Sequence, residues 1–411
     1  MTGTKKESTV KSISIEELQP GMFVVSVLEQ TGSVQVKTQG WVKTQTSIDK
    51  LASAGILRVE VDPDKMLDLN NSKHGITAPD SDIQNAPEQE KDPWHKSTAI
   101  SAEINQAVKL VEEAKALQAK AFADLKAGNP IDVEAFKEVA TSFIDSIFRN
   151  QDALSCIAMI KQKDAYLLEH SINVATLITI FAKHLRLDRE IIEELATGAL
   201  LHDIGKIKVD DAVLNKPGKL NETEFEQMKQ HAKYSYDIVS EAGLPDISCE
   251  IAGLHHERLD GSGYPRGLTS HEISDYVRMA SIVDVFDALT AERVYKKALT
   301  PIQAFKILRD GSPHHFDETL LNEFINCIGI YPVGSLVKLK SQKIGMVASS
   351  NPEQPLKPIV KVFYSAKSMY HIAVEDIDLA EKRCIDELEA AIKPEEFGLD
   401  LIKFFKHSVL P

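Results

Sequence analysis

Cysteine is scarce: four residues, Cys156, Cys249, Cys327 and Cys384, lie far apart and form no C-x-x-C pair. Neither a disulfide framework nor a thiolate zinc site is expected, and the four read as buried thiols. Basic residues are in deficit. Forty-seven Lys and Arg against 61 Asp and Glu leave a formal charge of -14, which argues against a broad basic surface for duplex nucleic acid or anionic lipid. An anionic substrate would need a local positive site. Long apolar runs are missing too. The longest nearly apolar stretch, residues 174–182, contains two Thr and falls far below the ~20 residues of a membrane-spanning helix. The N-terminus is polar, carries Lys5 and Lys6 and has no apolar core after them, so no signal peptide is read there. A soluble cytoplasmic protein without a membrane partner is expected.

What the chain does have is length and a change of pattern along it. Its 411 residues, 43% of them hydrophobic, suffice for two or three packed domains. Residues 10–62 form the first, a small α+β module with strands over 22–28 and 56–61 and a short helix over 47–54. Residues 63–96, with Asn70-Asn71, Pro79-Asp80 and an acidic stretch at 88–92, read as an exposed linker. A connecting segment, 97–130, follows. Rich in Ala, Lys and Glu, it forms one helix whose narrow stripe of Ile104, Ala107, Val108, Val111 and Ala114 either packs internally or dimerises.

Helical periodicity then dominates residues 131–332, broken at 213–220 and 260–267. Residues 333–411 return to short β runs at 335–340, 344–349, 359–364 and 371–374, with closing helices expected over 381–392 and 398–406. The fold class is therefore multidomain: an all-α domain, a small α+β N-terminal domain and a short β-containing C-terminal appendage.

Thirteen histidines are present, and six of them, His170, His184, His202, His231, His255 and His256, crowd into residues 170–256. On the helix expected over 164–185, His170 falls in register with Val174, Phe181 and Leu185 and so faces the interior. A lone inward histidine is usually structural. The pattern repeats, however. His231 sits at the edge of the face Phe225, Met228, Ala232, Tyr236 and Val239, while Leu200-Leu201-His202-Asp203 ends a helix built on Ile191, Leu195 and Ala199. Adjacent His255 and His256 follow an apolar run, and Asp284 and Asp287 are embedded among Ala, Ile, Val, Phe and Leu. Buried carboxylates need cations, and no Lys or Arg lies three or four positions from Asp284. A metal could supply that charge. Imidazole and carboxylate without thiolate suit iron, manganese, zinc or nickel. Five inward histidines and the aspartates Asp203 and Asp284 exceed one tetrahedral site, so two metals, with one Asp bridging, is the economical reading.

Taken together, His202-Asp203-Ile204-Gly205-Lys206 and the run from His255-His256-Glu257-Arg258 through Gly261-Ser262-Gly263-Tyr264-Pro265 resemble the HD-GYP family of bacterial cyclic dinucleotide phosphodiesterases. The likeness extends from Tyr166 and His170-Ser171, through residues 214–220 and His231, to Asp284, Asp287-Ala288-Leu289-Thr290, Arg293, Tyr295 and Lys296. Residues 15–62, with Glu17-Leu18 and Pro20-Gly21-Met22, are similar to the small domain often found ahead of such domains.

The resemblance implies an HD-type helical catalytic domain. It implies one ion held by His170, His202 and Asp284 and another by His231, His255 and His256, with Asp203 bridging; iron or manganese is the expectation. Some relatives bind a third metal through a Glu one turn before the first histidine, where this chain has Tyr166. Ala232 and Ser235 stand where relatives often have Pro and Gly, a departure expected to affect packing more than coordination.

Two adjacent dications lower the pKa of water between them and so provide a nucleophile for phosphodiester hydrolysis. Asp203 and Lys206 are the expected catalytic residues; Lys206 otherwise reads as a lysine favoured at a helix C-terminus. Arg293 and Lys296, three apart on one helix face, would bind a substrate phosphate. Gly263 and Tyr264 would shape the substrate pocket. The implied substrate is cyclic di-GMP or 3′,3′-cyclic GMP-AMP, opened to the linear dinucleotide or onward to mononucleotides. The competing readings are an HD-type nucleotide phosphohydrolase and a catalytically silent cyclic dinucleotide receptor. A homodimer or a protein partner would engage the N-terminal module.

Overall fold

The computed structural model describes residues 10–20, 22–31, 40–42, 48, 52, 56–63, 98–159, 166–291, 298–351 and 354–399. The chain divides into two compact units, Met1–Pro87 and Glu88–Pro411. Among the described residues of the first, β1 (Lys11–Ser14), β2 (Phe23–Gln30), β3 (Gly40–Trp41) and β4 (Ile56–Asp62) form an antiparallel sheet in the order β1-β4-β2-β3. Ser14 caps a single 3-10 turn with Glu17 closing the capping box, which ends β1 sharply. Ile15, Leu18, Val24, Val42, Ile48, Ile56, Val59 and Val61 form its core. The expected strands are present. Of the helix expected over 47–54, Ile48 and Ala52 are described, and both are helical. The expected linker lies outside the described residues beyond Pro63.

The second unit opens with α1 (Ile100–Lys126), α2 (Val133–Met159), α3 (Tyr166–His184), α4 (Arg189–Leu201), α5 (Asp211–Leu214) and α6 (Glu222–Glu241). Then come α7 (Asp246–Leu254), α8 (Asp275–Thr290), α9 (Pro301–Asp310) and α10 (Glu318–Ile328). Helix α3 is the axis of the bundle. It packs against α1, α2, α4, α8 and α10, and residues 169–183 are all buried, as expected of a helix apolar on every side. Its buried hydroxyls are satisfied locally: Thr176 and Thr179 donate to Ile172 O and Ala175 O. The α1 stripe of Ile104, Ala107, Val111 and Ala114 is consumed within this core. Helix α2 is interrupted at Asn150 (φ -162°), whose Oδ1 accepts from Asp152 N at 3.0 Å and restarts the helix as a cap would.

The C-terminal part is a five-stranded antiparallel sheet of β5 (Leu336–Leu339), β6 (Lys343–Ser349), β7 (Ile359–Ser365), β8 (Tyr370–Asp378) and β9 (Leu388–Ala391), ordered β8-β7-β6-β5-β9. Val337, Val347, Val360 and Val362 join the helical core, and Cys156 Sγ meets Met346 Sδ at 3.8 Å. One expectation fails here. Residues 381–392 are not a helix but turns followed by β9, because pairing with β5 (Val337↔Ala391) and the ion pairs Lys338–Glu389 and Lys340–Glu387 override local helix preference. The helix expected over 398–406 lies almost wholly outside the described residues.

Candidate metal centre

Five helices deliver one buried cluster. His170 projects from the second turn of α3, His202 caps the C-terminus of α4 with Asp203 beside it, and His231 lies on the inner face of α6. His255 caps α7, His256 follows it, and Asp284 comes from α8. His170, His202, Asp203, His231, His255 and Asp284 are all 4% exposed or less. His184 stays outside the cluster, paired with Glu323.

The donor atoms fall into groups. His170, His202 and Asp284 offer ligand atoms within 4.8 Å of one another; so do His231, His255 and His256, and so do His202, Asp203 and His255. Asp203 spans the first two groups. Its Oδ2 lies 3.5 Å from His202 Nε2 and 3.7 Å from His170 Nε2, while Oδ1 lies 3.4 Å from His231 Nε2. Asp284 spans them as well, with Oδ1 3.0 Å from His170 Nε2 and Oδ2 3.6 Å from His256 Nδ1.

Three of the rings are aimed by a backbone hydrogen bond on the far side. His202 Nδ1 meets Ala199 O at 2.7 Å, His231 Nδ1 meets Met228 O at 2.6 Å and His255 Nδ1 meets Ile251 O at 3.0 Å. Carbonyls accept, so these nitrogens carry the protons and Nε2 is left as a lone-pair donor pointing inward. The consequence is measurable. Asp203 Oδ1, His231 Nε2 and His255 Nε2 are buried without a hydrogen-bond partner among the described residues, a costly state that a cation would relieve.

The electrostatics match. Burial drives His255 down to about 3 and His231 to about 4, and it also lowers His202 and His256. For Asp203, burial works upward but is outweighed by Lys206 and the surrounding imidazoles, which hold the carboxyl well below its ordinary range. Burial likewise opposes ionisation of Asp284, and the hydrogen bond from His170 with the nearby rings overcomes it. Neutral imidazoles and ionised carboxylates are the states that bind cations. Imidazole and carboxylate donors without sulfur fit a borderline divalent ion.

The remaining expected site residues are placed as follows. Lys206 Nζ reaches Asp203 Oδ2 at 2.5 Å. Tyr264 is half-buried, its ring centroid 4.6 Å from that of His256. Gly263 is required by packing, since a Cβ there would overlap Arg258 N and the Glu257 backbone. Tyr166 opens α3, and its side chain lies outside the described residues, as do Arg293 and Lys296 altogether. On α6, Phe225 departs from its expected buried face. The buried residues are His231, Ala232, Ser235, Ile238 and Val239, and Phe225 is 48% exposed.

Sequence reasoning gave no role to four supporting residues. Asp287 Oδ2 accepts from His170 Nδ1 at 2.8 Å; its spacing of three from Asp284 on one helix was the available signal. Buried Glu257 accepts from Arg266 N at 2.7 Å and Leu268 N at 2.9 Å, tying down the loop that carries Tyr264. Ser281 Oγ donates to His255 O at 2.7 Å. Gly205, in the turn after Asp203, allows that turn to lie directly on α6: its N–H donates to Ser235 Oγ at 2.9 Å.

Residues 155–320 match the HD domain, residues 10–136 a domain of unknown function (DUF3391), and residues 336–396 a KOW domain associated with the HD domain. The N-terminal match runs past residue 62, the expected end of the first domain, and takes in α1. A cyclic di-GMP phosphodiesterase of Pseudomonas aeruginosa is 31% identical over 92% of this chain and 91% of its own length. A 3′3′-cGAMP-specific phosphodiesterase of Vibrio cholerae is 39% identical over 38% of this chain and 35% of its own. A cyclic di-GMP phosphodiesterase of Thermotoga maritima is 33% identical over 46% of this chain and 51% of its own. With the near full-length match carrying the assignment, the chain belongs to the HD-GYP family of cyclic dinucleotide phosphodiesterases.

Proposed function

We propose that this protein hydrolyses a 3′,3′-cyclic dinucleotide, cyclic di-GMP in the first instance, to the linear dinucleotide and onward to mononucleotides. The observation that carries the proposal is the paired His/Asp cluster with inward lone pairs left unsatisfied, in a chain alike over nearly its whole length to a cyclic di-GMP phosphodiesterase. In this reading His170, His202 and Asp284 hold one divalent ion, His231, His255 and His256 hold a second, and Asp203 serves both. Iron or manganese is the favoured occupant. Bound there, such ions supply Lewis acidity toward a phosphoryl oxygen and a water acidic enough to ionise near neutral pH.

The chain's own groups do the rest. The Nδ1 hydrogen bonds fix the tautomers of His202, His231 and His255, and burial keeps these rings and His256 unprotonated, so their donors are ready without rearrangement. Lys206 carries its ammonium against Asp203, at the edge of the cluster where a phosphoryl oxygen would gain charge during cleavage. Tyr264 walls the site beside His256 and contacts the nucleotide, and the Gly263 backbone gives that loop its close seat. Arg293 and Lys296 are the proposed contacts to the substrate's phosphates.

The test is hydrolysis of cyclic di-GMP and 3′,3′-cyclic GMP-AMP by anaerobically purified protein, alongside His202→Ala, Asp203→Ala and Lys206→Met and with metal content measured. Turnover by wild type with two ions per chain is expected, lost in the first two variants with their metal. In Lys206→Met about a hundredfold loss with the metal retained is expected. Equal hydrolysis by all four proteins would overturn the assignment, and preference for the mixed dinucleotide would change the substrate while keeping the reaction.

A further inference from the structure

Residues 222–230 of α6 include no buried residue, yet this stretch carries a large aromatic ring beside the cluster. Phe225 is 48% exposed, and its ring stands edge-on to Tyr264 with centroids 6.3 Å apart and planes at 82°. Tyr264 in turn leans on His256 at 4.6 Å and 36°. The rings therefore form a ladder running from the metal centre outward to solvent. Lys229, one turn along α6, sets its Nζ 5.4 Å from the Phe225 centroid and 5.8 Å from that of Tyr264, while ion-paired to Glu226 at 2.6 Å. An ammonium so placed stiffens both rings through cation–π attraction, with Glu226 fixing its position and balancing its charge.

We propose that Phe225, braced by Lys229, stacks on a nucleobase of the substrate and so serves as a positioning and affinity residue. This rests on the phosphodiesterase reading above. The spacing suits the task. Phe225 precedes His231 by six residues on one helix, about 9 Å along its axis, and both rings flank Tyr264, with centroids 6.3 and 6.4 Å from it, so a base on Phe225 and a phosphate at the His231 side of the cluster would lie on either side of Tyr264. Aromatic stacking accepts any base because every base has a π-face, so the contact sets affinity rather than purine identity. The exposed face of Phe225 needs no rearrangement to receive it.

The experiment compares Phe225→Ala, Phe225→Leu, Phe225→Trp and Lys229→Met with wild type in metal-loaded protein. It measures KM and kcat for cyclic di-GMP and 3′,3′-cyclic GMP-AMP, the rate on methyl 4-nitrophenyl phosphate, which has no nucleobase, and metal content. In Phe225→Ala, KM is expected to rise about tenfold for both cyclic dinucleotides, with kcat, the small-diester rate and metal content within about twofold of wild type. Phe225→Trp should restore KM, Phe225→Leu should not, and Lys229→Met should raise KM by a smaller factor. An unchanged KM in Phe225→Ala, recovery by Leu, or equal loss on the diester lacking a base would overturn the stacking role while leaving the hydrolase reading in place. Wild type that cleaves neither cyclic dinucleotide would overturn both.

Discussion

His170 Nδ1 and Asp287 Oδ2 lie 2.8 Å apart in the interior of the bundle, both side chains buried. Alone among the cluster's histidines, His170 has its proton affinity raised. Burial opposes protonation, but the hydrogen bonds to Asp284 and Asp287 outweigh it and lift the ring to about 9. Asp287 thus fixes the tautomer and increases the basicity of the nitrogen that faces Asp284. Asp287→Ala is expected to weaken metal binding about 10- to 100-fold while leaving the other metal-facing rings in place. Asp287→Asn, which keeps an acceptor but loses the charge, should fall between that variant and wild type. Competition with a chelator reads the affinity directly; wild-type affinity in Asp287→Ala would deny Asp287 its orienting role.

Glu257 argues a second case, because a buried carboxylate that accepts two backbone N–H groups cannot be replaced by its amide. In Glu257→Gln one of the two, Arg266 N or Leu268 N, would face an NH2 group and two donors would oppose each other. A stability loss of about 1–3 kcal/mol is expected, together with faster amide exchange at Arg266 and Leu268 and a raised KM as Tyr264 loses its seat. Unchanged exchange at those two amides would show that Glu257 does not hold the loop.

Much of the centre was legible because helical register and ligand chemistry coincide at the same positions. A histidine in register with Val174 and Phe181 must face inward, and the structure puts it there. The groups that aim the rings were not legible, since Ala199 O, Met228 O and Ile251 O are backbone atoms that any residue provides. Phe225 was misplaced for a different reason. Its spacing predicts a buried face, but the partner surfaces of α6 begin only at His231. Strand β9 was missed because its residues favour a helix locally, and its partner β5 lies some fifty positions earlier in the chain. Pairing at that range leaves no local periodic trace.

Gly205 offers a test of the close seating between the turn after Asp203 and α6. A Cβ at this position would overlap His231 O and Ser235 N, both helix backbone, so neither atom can swing away. Gly205→Ala is expected to push the turn off α6, costing about 1–3 kcal/mol or more, and to separate Asp203 from His231. Ser235→Ala removes only the Oγ acceptor of the Gly205 N–H and should cost about 1–3 kcal/mol for the buried donor left unpaired. Urea midpoints give both values, and metal content distinguishes them. Loss of metal in Gly205→Ala with retention in Ser235→Ala is the expected outcome; full metal in both would mean that the turn's position tolerates displacement.

A last prediction concerns the tie between the two long helices that open the second unit. Glu103 on α1 is 3% exposed and accepts from Arg149 Nε and Nη2 at 2.8 Å each and from Ser146 Oγ at 2.7 Å. Burial raises the carboxyl's proton affinity, but these hydrogen bonds and the guanidinium charge outweigh it and hold the pKa below its ordinary 4.5. A depressed folded-state pKa contributes stability that is complete above the unfolded value and vanishes as pH falls through the folded one. Because the Arg149 side chain is 41% exposed, solvent screening keeps the contribution modest, about 1 kcal/mol at pH 7. Glu103→Gln should therefore lie below wild type by about that amount at pH 7 and converge with it below pH 4.5. Urea unfolding with chelator present, so that metal release at low pH does not enter, measures the difference. A gap that persists unchanged into acid would mean that the side chain stabilises the helix pair through shape and neutral hydrogen bonding rather than through its charge.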